Sequence, residues 1–443
     1  MNAIAQKLES IVGSSGVSTW DDLEPARLPK LKALSGPEGD KPPDCIVFPQ
    51  TQAELAEAIA LAYENRWAMV PCGAGSKLDW GGIVSNANLV VSTERLNRLI
   101  DHAIGDLTVT VEAGMKYGEL QKMLAKTGQF LAIDPTYPQA ATIGGIVATA
   151  DTGSLRQRYN SVRDQLLGIS FVRADGKLTK GGGRVVKNVA GYDLMKLLTG
   201  SYGTLGAIAQ VTFRLYPQPA ASQTVFLTGS AEAIATAAKT LLASALTPIS
   251  TDLLSASTVR RLGSSGMGLL VRFQSVPESV AEQSQRVLEL GEKLGLQGQA
   301  HPEETEATLW EGLRKTIQES DRERAIACKI GIRPSEAAAA LVEFEALTAS
   351  EDRFPLNLGM IHAASGLGRL RLVGETTNVL PVLERMRNHC QSKGGFLTIL
   401  EAPIEIKQKI DVWGYAGNAI DLMSKIKKQF DSENILSPNR FIV

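Results

Sequence analysis

The sequence predicts an α+β protein of two domains, and three observations carry that expectation. A β-α-β unit spans residues 45–70. Nearly half of the 41 glycines then fall between Gly73 and Gly206, less than a third of the chain. From Ala325 onward, strands and helices alternate in the order β-α-β-β-α-β, the ferredoxin-like plan.

Taken in order, Cys45-Ile-Val-Phe48 is a short apolar strand, and Thr51-Gln-Ala-Glu54 is a capping box opening a helix with Leu55, Ala58, Ile59 and Ala62 on one face. Trp67 to Val70 supplies the next strand and runs into Pro71-Cys-Gly-Ala-Gly-Ser-Lys77. Leu89 to Ser92 and Leu107 to Glu112 read as strands, followed by a helix from Tyr117 that stops at Gly128. Asp175-Gly176 marks a hairpin between Leu166–Ala174 and Lys177–Lys180. Ala209, Val211, Phe213 and Leu215 alternate with polar residues in a half-buried strand that ends at Pro217. A domain boundary is expected near Pro219, where the texture changes to Ala-rich amphipathic helices. The β-α-β-β-α-β order then runs through Ala325–Arg333, Ser335–Thr348, Phe354–His362, Arg369–Val373, Thr377–Lys393 and Gly395–Leu400. Asp421 to Phe430 is a helix, and Asn434 to Phe441 an extended tail.

Composition narrows the function. The 443 residues carry 46 basic and 47 acidic side chains, a balance that argues against nucleic-acid or anionic-membrane partners. Ala140 to Ala150 is far shorter than the ~20 apolar residues of a spanning helix, so no membrane span is expected. The N-terminus does not read as a secretory signal, and a cytoplasmic protein is expected, peripheral on a membrane only through partners. Cys45, Cys72, Cys328 and Cys390 lie far apart with no CxxC, so no zinc site or iron–sulfur cluster is expected within this chain.

Three Gly-rich clusters are candidate ligand contacts. Pro71 to Lys77 follows a strand, where successive N–H groups can hold phosphate oxygens, although a ligand-free turn fits it equally. It matches neither the P-loop nor the dinucleotide GxGxxG, since Leu78 stands at the third Gly. Ala140 to Thr149 combines small residues with Gly144-Gly145, either for close approach to a flat ligand or for a helix packed tightly on a sheet. Gly181 to Asp193 and Leu197 to Gly206 form the third, whose Gly200, Gly203 and Gly206 precede a strand, so the Rossmann pattern fails again.

In this order and spacing the clusters resemble the FAD-binding domain of the vanillyl-alcohol oxidase/p-cresol methylhydroxylase (PCMH-type) flavoproteins, across residues 40–219 and the C-terminal tail. GAGSKLDWGG, GGRVVKNVAGYDLMKLLTGSYGTLG, Glu401-Ala-Pro and Val412-Trp-Gly414 are similar to the FAD-binding subunits of bacterial glycolate oxidases. The resemblance implies a PCMH-type FAD-binding domain of two α/β subdomains at residues 1–219, a ferredoxin-like antiparallel-sheet cap at 220–415, and a segment returning to the FAD domain at 416–443. It implies that Pro71, Gly73, Ala74, Gly75 and Ser76 bind the pyrophosphate, with Lys77 offsetting charge. Thr142, Gly144, Gly145, Ala148 and Gly153 would follow the pyrophosphate and ribityl chain, and Asp193, Gly203, Gly206 and Ile208 would line the adenine end. With Ala74 and Gly75 in the first loop and no Cys in the second, FAD is expected to be non-covalent.

Related 2-hydroxy-acid dehydrogenases carry His-x-Gly-Asp-Gly-Asn-x-His. Here His362-Ala-Ala-Ser-Gly-Leu-Gly-Arg369 keeps the first His but has Ser365 and Arg369 at the Asp and second His, so no metal is assigned. His362 is either a half-buried sheet residue or a proton acceptor working beside Arg369 or Arg371, which would hold a carboxylate. Lys329, Arg333, Lys407 and Asp411 are runner-up polar candidates, while His102, His301 and His389 read as surface residues. The resemblance implies an FAD-dependent oxidoreductase for a small 2-hydroxy acid, glycolate foremost, delivering electrons to a protein or quinone. A non-catalytic electron-relay or assembly subunit, working with a sister flavin subunit and an iron–sulfur subunit, is the alternative. A binding protein of the same fold without flavin is a third reading, disfavoured by the intact glycine clusters.

Overall fold

The computed structural model describes residues 3–19, 42–184, 191–319 and 324–442. The chain divides into two compact units, one comprising Met1–Gly153, Asn160–Gln218 and Ala416–Val443, the other Ser154–Tyr159 and Pro219–Tyr415. No helix among the described residues is long and apolar enough to cross a membrane.

The first unit holds a four-stranded sheet of β1 (Val17–Thr19), β2 (Cys45–Val47), β3 (Met69–Cys72) and β4 (Leu89–Ser92), in the order β1-β2-β4-β3. The helix Gln52–Glu64 starts where Thr51 Oγ1 accepts the Glu54 N–H, and it buries Leu55, Ala58, Ile59 and Ala62. Pro71 lies within edge strand β3 rather than in the loop after it. An edge position tolerates its missing N–H. The C-terminal tail closes that edge: Met69 N–H donates to the Ile435 carbonyl at 2.7 Å and Ser437 N–H to the Met69 carbonyl at 2.8 Å.

A second sheet contains β5 (Leu99–Ala103) and β6 (Thr108–Glu112). Beyond the short β7 (Gln129–Phe130) it adds β8 (Leu166–Val172), β9 (Leu178–Gly182) and β10 (Ala207–Arg214). It is antiparallel, ordered β5-β6-β10-β8-β9, with the Asp175-Gly176 turn between β8 and β9. The sequence pattern misses β5 and the pairing of β7 with β11 (Tyr216–Pro217), segments too short or too polar to show alternation. The tail is pinned by Lys427, whose buried Nζ donates to the carbonyls of Thr204 and Leu436, each at 3.0 Å, and to Asp431 at 2.5 Å. Burial lowers the Lys427 pKa below the usual lysine range, against the opposing pull of Asp431.

The second unit is one antiparallel eight-stranded sheet. Its strands are β12 (Ala221–Gly229), β13 (Ser250–Leu254), β14 (Met267–Ser275), β15 (Gln297–Pro302), β16 (Ile326–Gly331), β17 (Leu356–His362), β18 (Leu367–Val373) and β19 (Phe396–Glu401). The order β15-β12-β14-β13-β17-β18-β16-β19 shows that the ferredoxin-like plan occurs twice. With helices Ala231–Leu242 and Pro277–Lys293, β12 to β15 repeat the arrangement that Ala337–Leu347 and Thr376–Ser392 complete for β16 to β19. The sequence reading found only the second copy. Pairing of β13 with β17 over three residues, Asp252 with His362, Leu253 with Ile361 and Leu254 with Met360, joins the copies. Leu253, Leu269, Val271, Ile361, Leu370 and Leu372 pack against the four helices, while the opposite face carries Asp252, His362 and Arg371 beside the apolar cluster of Leu254, Leu270, Leu358 and Met360.

Replacing Lys427 by Ala leaves the Asp431 carboxylate buried without its cation. We expect a loss of about 3–5 kcal/mol in the unit that holds it, read as a lower urea midpoint.

Candidate functional site

The first unit contains a cavity of about 720 Å³, open to solvent, between the loop after β3, the helix Ile143–Thr149 and the tail. Its walls bring together Pro71, Gly73, Ala74, Gly75, Ser76, Lys77, Thr142, Gly144, Gly145, Ala148, Gly203, Gly206 and Ile208, residues marked by three separate sequence clusters. Gly153 and Asp193 do not line it. Gly153 N–H donates to Asp134 Oδ1 at 2.9 Å, and Asp193 is exposed and pairs with Lys196 at 2.5 Å. Val185 to Ala190 of the third cluster lie outside the described residues.

Backbone requirements explain the glycines. A Cβ on Gly73 would stand 1.9 Å from Thr142 Oγ1, and one on Gly144 would stand 2.7 Å from Ala113 Cβ. Gly75 has φ +74°, which L side chains rarely adopt. Thr142 Oγ1 in turn accepts the Gly145 N–H at 3.4 Å and caps the helix. The loop around Tyr202 and Gly203 hangs from that helix's other end, with Gly200 N–H on the Val147 carbonyl and Tyr202 N–H on that of Ala148.

The charge pattern differs from the sequence expectation. Lys77, the expected counter-charge, is buried and forms an ion pair with Asp151 at 2.6 Å, where Thr136 also donates its N–H and hydroxyl to the carboxylate. Its charge is therefore already balanced by a residue of the protein. The cation that sequence reasoning missed is Arg440, 4% exposed, whose Nη1 donates to the carbonyls of Leu78 at 2.6 Å and Trp80 at 3.0 Å. Its Nε is buried with no hydrogen-bond partner among the described residues, and burial pushes its pKa down to about 10, still cationic near neutrality. The N–H groups of Ala74 and Gly75 likewise have no partner among the described residues. Free amides, glycines that leave the backbone bare and the cation of Arg440 in the cavity wall suit an anionic diester that the backbone can approach closely. The donor set therefore fits the pyrophosphate of a dinucleotide cofactor. No sequence pattern marks Arg440, because only the tail's pairing with β3 carries it to the cavity.

In the second unit, His362, Arg369 and Arg371 fall on one face of the sheet. Antiparallel register sets Arg369 opposite Met360 on one side and Lys329 on the other. His362 is buried, with Nδ1 bonded to Asp252, so it is not the half-buried residue of the simpler expectation. Arg371 is 2% exposed and paired with Glu401 at 3.3 Å, whereas Arg369 is half-buried. The segment between His362 and Arg369 is the hairpin turn: Gly366 has φ +67°, and exposed Ser365 accepts the Leu367 N–H. Among the runner-up residues, Asp411 accepts the N–H groups of Trp413 and Gly414 and so shapes its own turn, and Arg333 is exposed. His102 and His389 are partly buried, as is His301, whose pKa burial lowers. Among the described residues no three His, Cys, Asp or Glu side chains gather closely enough to hold a metal.

Comparison with known proteins agrees with the cavity's chemistry. Residues 43–182 match the family model described as an FAD-binding domain. The chain is 25% identical to glycolate oxidase subunit GlcD of Bacillus subtilis (strain 168), over 98% of this chain and 96% of that protein. It is 35% identical to glycolate oxidase subunit GlcE of Escherichia coli (strain K12), over 38% of this chain and 48% of that one. The structure of p-cresol methylhydroxylase with substrate bound superposes with a TM-score of 0.77 at 15% identity, covering 99% of this chain and 96% of the other. Residues 43–182 thus form an FAD-binding domain, the fold is the one seen in p-cresol methylhydroxylase, and the chain is an FAD-dependent oxidoreductase.

Two substitutions separate the roles of the cavity wall. Arg440→Met should weaken FAD binding about tenfold or more, the worth of a charge-assisted hydrogen bond, in a flavin-fluorescence titration. Gly73→Ala should abolish flavin retention during purification, because Thr142 and the new Cβ cannot share one position.

Proposed function

We propose that this FAD-dependent oxidoreductase oxidises a small 2-hydroxy acid, with glycolate to glyoxylate as the leading case, and passes the electrons to a protein or quinone acceptor. The observation that supports this most is likeness along almost the whole chain to a glycolate oxidase subunit. FAD, when bound, supplies the two-electron acceptor for the hydride leaving the α-carbon.

The chain's own residues supply the rest of the chemistry. His362 takes the hydroxyl proton at Nε2 as the α C–H and O–H bonds break and the carbonyl forms. Arg369 holds the substrate carboxylate through two N–H bonds; Arg371, buried against Glu401, serves the sheet instead. Gly73 to Ser76, Thr142, Gly144, Gly145 and Arg440 hold FAD without a covalent bond, since Ala74 and Gly75 offer no nucleophile.

Likeness to GlcE over part of the chain favours a second reading, an FAD-carrying relay or assembly subunit beside a sister flavin subunit and an iron–sulfur subunit. Any membrane association would then come through those partners. An anaerobic visible spectrum separates the two. Bleaching of the flavin band by glycolate or lactate in the isolated chain supports the self-sufficient enzyme, and bleaching only after a sister subunit is added supports the relay. Under the first reading His362→Ala should slow bleaching about 100-fold or more. After acid precipitation the flavin should remain in the supernatant; yellow colour in the pellet would refute non-covalent binding.

A further inference from the structure

The junction of the two ferredoxin-like copies holds a pair of groups that neither copy contains alone. Asp252 on β13 and His362 on β17 are register partners, and Asp252 Oδ1 bonds His362 Nδ1. Asp252 is fully buried and His362 is 5% exposed. Asp252 Oδ2 has no hydrogen-bond partner among the described residues. An ionised carboxylate at that depth is costly unless a donor meets it, and the donor present is the imidazole. The neutral ring therefore carries its proton on Nδ1 and keeps its lone pair on Nε2.

We propose that Asp252 is a positioning residue for His362: it fixes the tautomer in which Nε2 can accept a proton, and it stabilises the imidazolium that results. This rests on the reading of His362 as the proton acceptor for a 2-hydroxy acid. A carboxylate serves this purpose better than an amide, because its charge offsets the positive ring formed when the proton arrives. The pair needs only one position on each strand, and the next two positions are apolar, Leu253 with Ile361 and Leu254 with Met360.

The test uses FAD-loaded protein labelled with ¹⁵N. The chain has four histidines, and loss of one signal in His362→Ala assigns the ring. The expected spectrum of neutral His362 shows a protonated Nδ1 and an unprotonated Nε2. Asp252→Asn should mix or invert the tautomers and slow flavin reduction by glycolate about 100-fold or more, with KM changed less than about threefold. A wild-type ring protonated at Nε2 would overturn the proposal, and this measurement stands even where the variant does not fold. Retention of both tautomer and rate in Asp252→Asn would overturn it as well. If the wild-type flavin stays oxidised with every 2-hydroxy acid, with or without a sister subunit, the functional reading falls and the catalytic role of Asp252 with it. The tautomer then shows whether the pairing itself was misjudged.

Discussion

Placement of buried charge at the cavity is the constraint on which the FAD unit depends. Lysine and arginine are rarely taken out of water without partners, because desolvation outweighs packing gains. Lys77 meets that cost internally, through Asp151 and the Thr136 hydroxyl that orients it. Arg440, which also lines the cavity, meets it through two carbonyls on Nη1 and the nearby charge of Asp79, which opposes the lowering of its pKa by burial; its Nε has no hydrogen-bond partner among the described residues. An anionic ligand bound beside this cation would stabilise the folded unit further by mass action.

Arg440 can occupy that position only because the tail is fixed twice. Lys427 and Asp431 tie the helix Ile420–Phe430 to the segment it precedes, and the backbone of Ile435 to Ser437 completes the free edge of β3. Tyr202 stacks on Phe441 at 5.9 Å, joining the tail to the loop that bears Gly203. A distant segment thus becomes part of the wall through main-chain pairing, a mode that places few demands on side-chain identity.

That mode explains which parts of the molecule were legible in the sequence. The glycines announced themselves, since positions such as Gly73 and Gly75 admit nothing larger or demand a positive φ. Periodicity disclosed the helix Gln52–Glu64 and strand β10, both with long apolar faces. Asp151 and Arg440 could not be found the same way: each owes its role to a partner far along the chain, and an isolated Asp or Arg has no local signature. Lys77 lines the cavity, but its pairing with Asp151 was not legible, because a residue adjoining a glycine loop does not reveal which distant carboxylate meets it.

The second unit shows the same limit at a larger scale. Its two copies share a topology, but their seam is made by β13 and β17, strands more than one hundred residues apart, where Asp252 meets His362 and the Ser255 and Thr258 hydroxyls bond to the Gly359 backbone. Antiparallel register lets one residue from each copy face the other at close range, so duplication of a simple plan creates a juxtaposition that the plan itself lacks. Purely apolar pairing would join the copies as well. The choice of a buried carboxylate and imidazole, with one carboxylate oxygen unpartnered among the described residues, costs stability that two apolar residues would not. The proton-accepting role proposed for His362 would account for that cost, and Arg369 stands on the same face of the sheet.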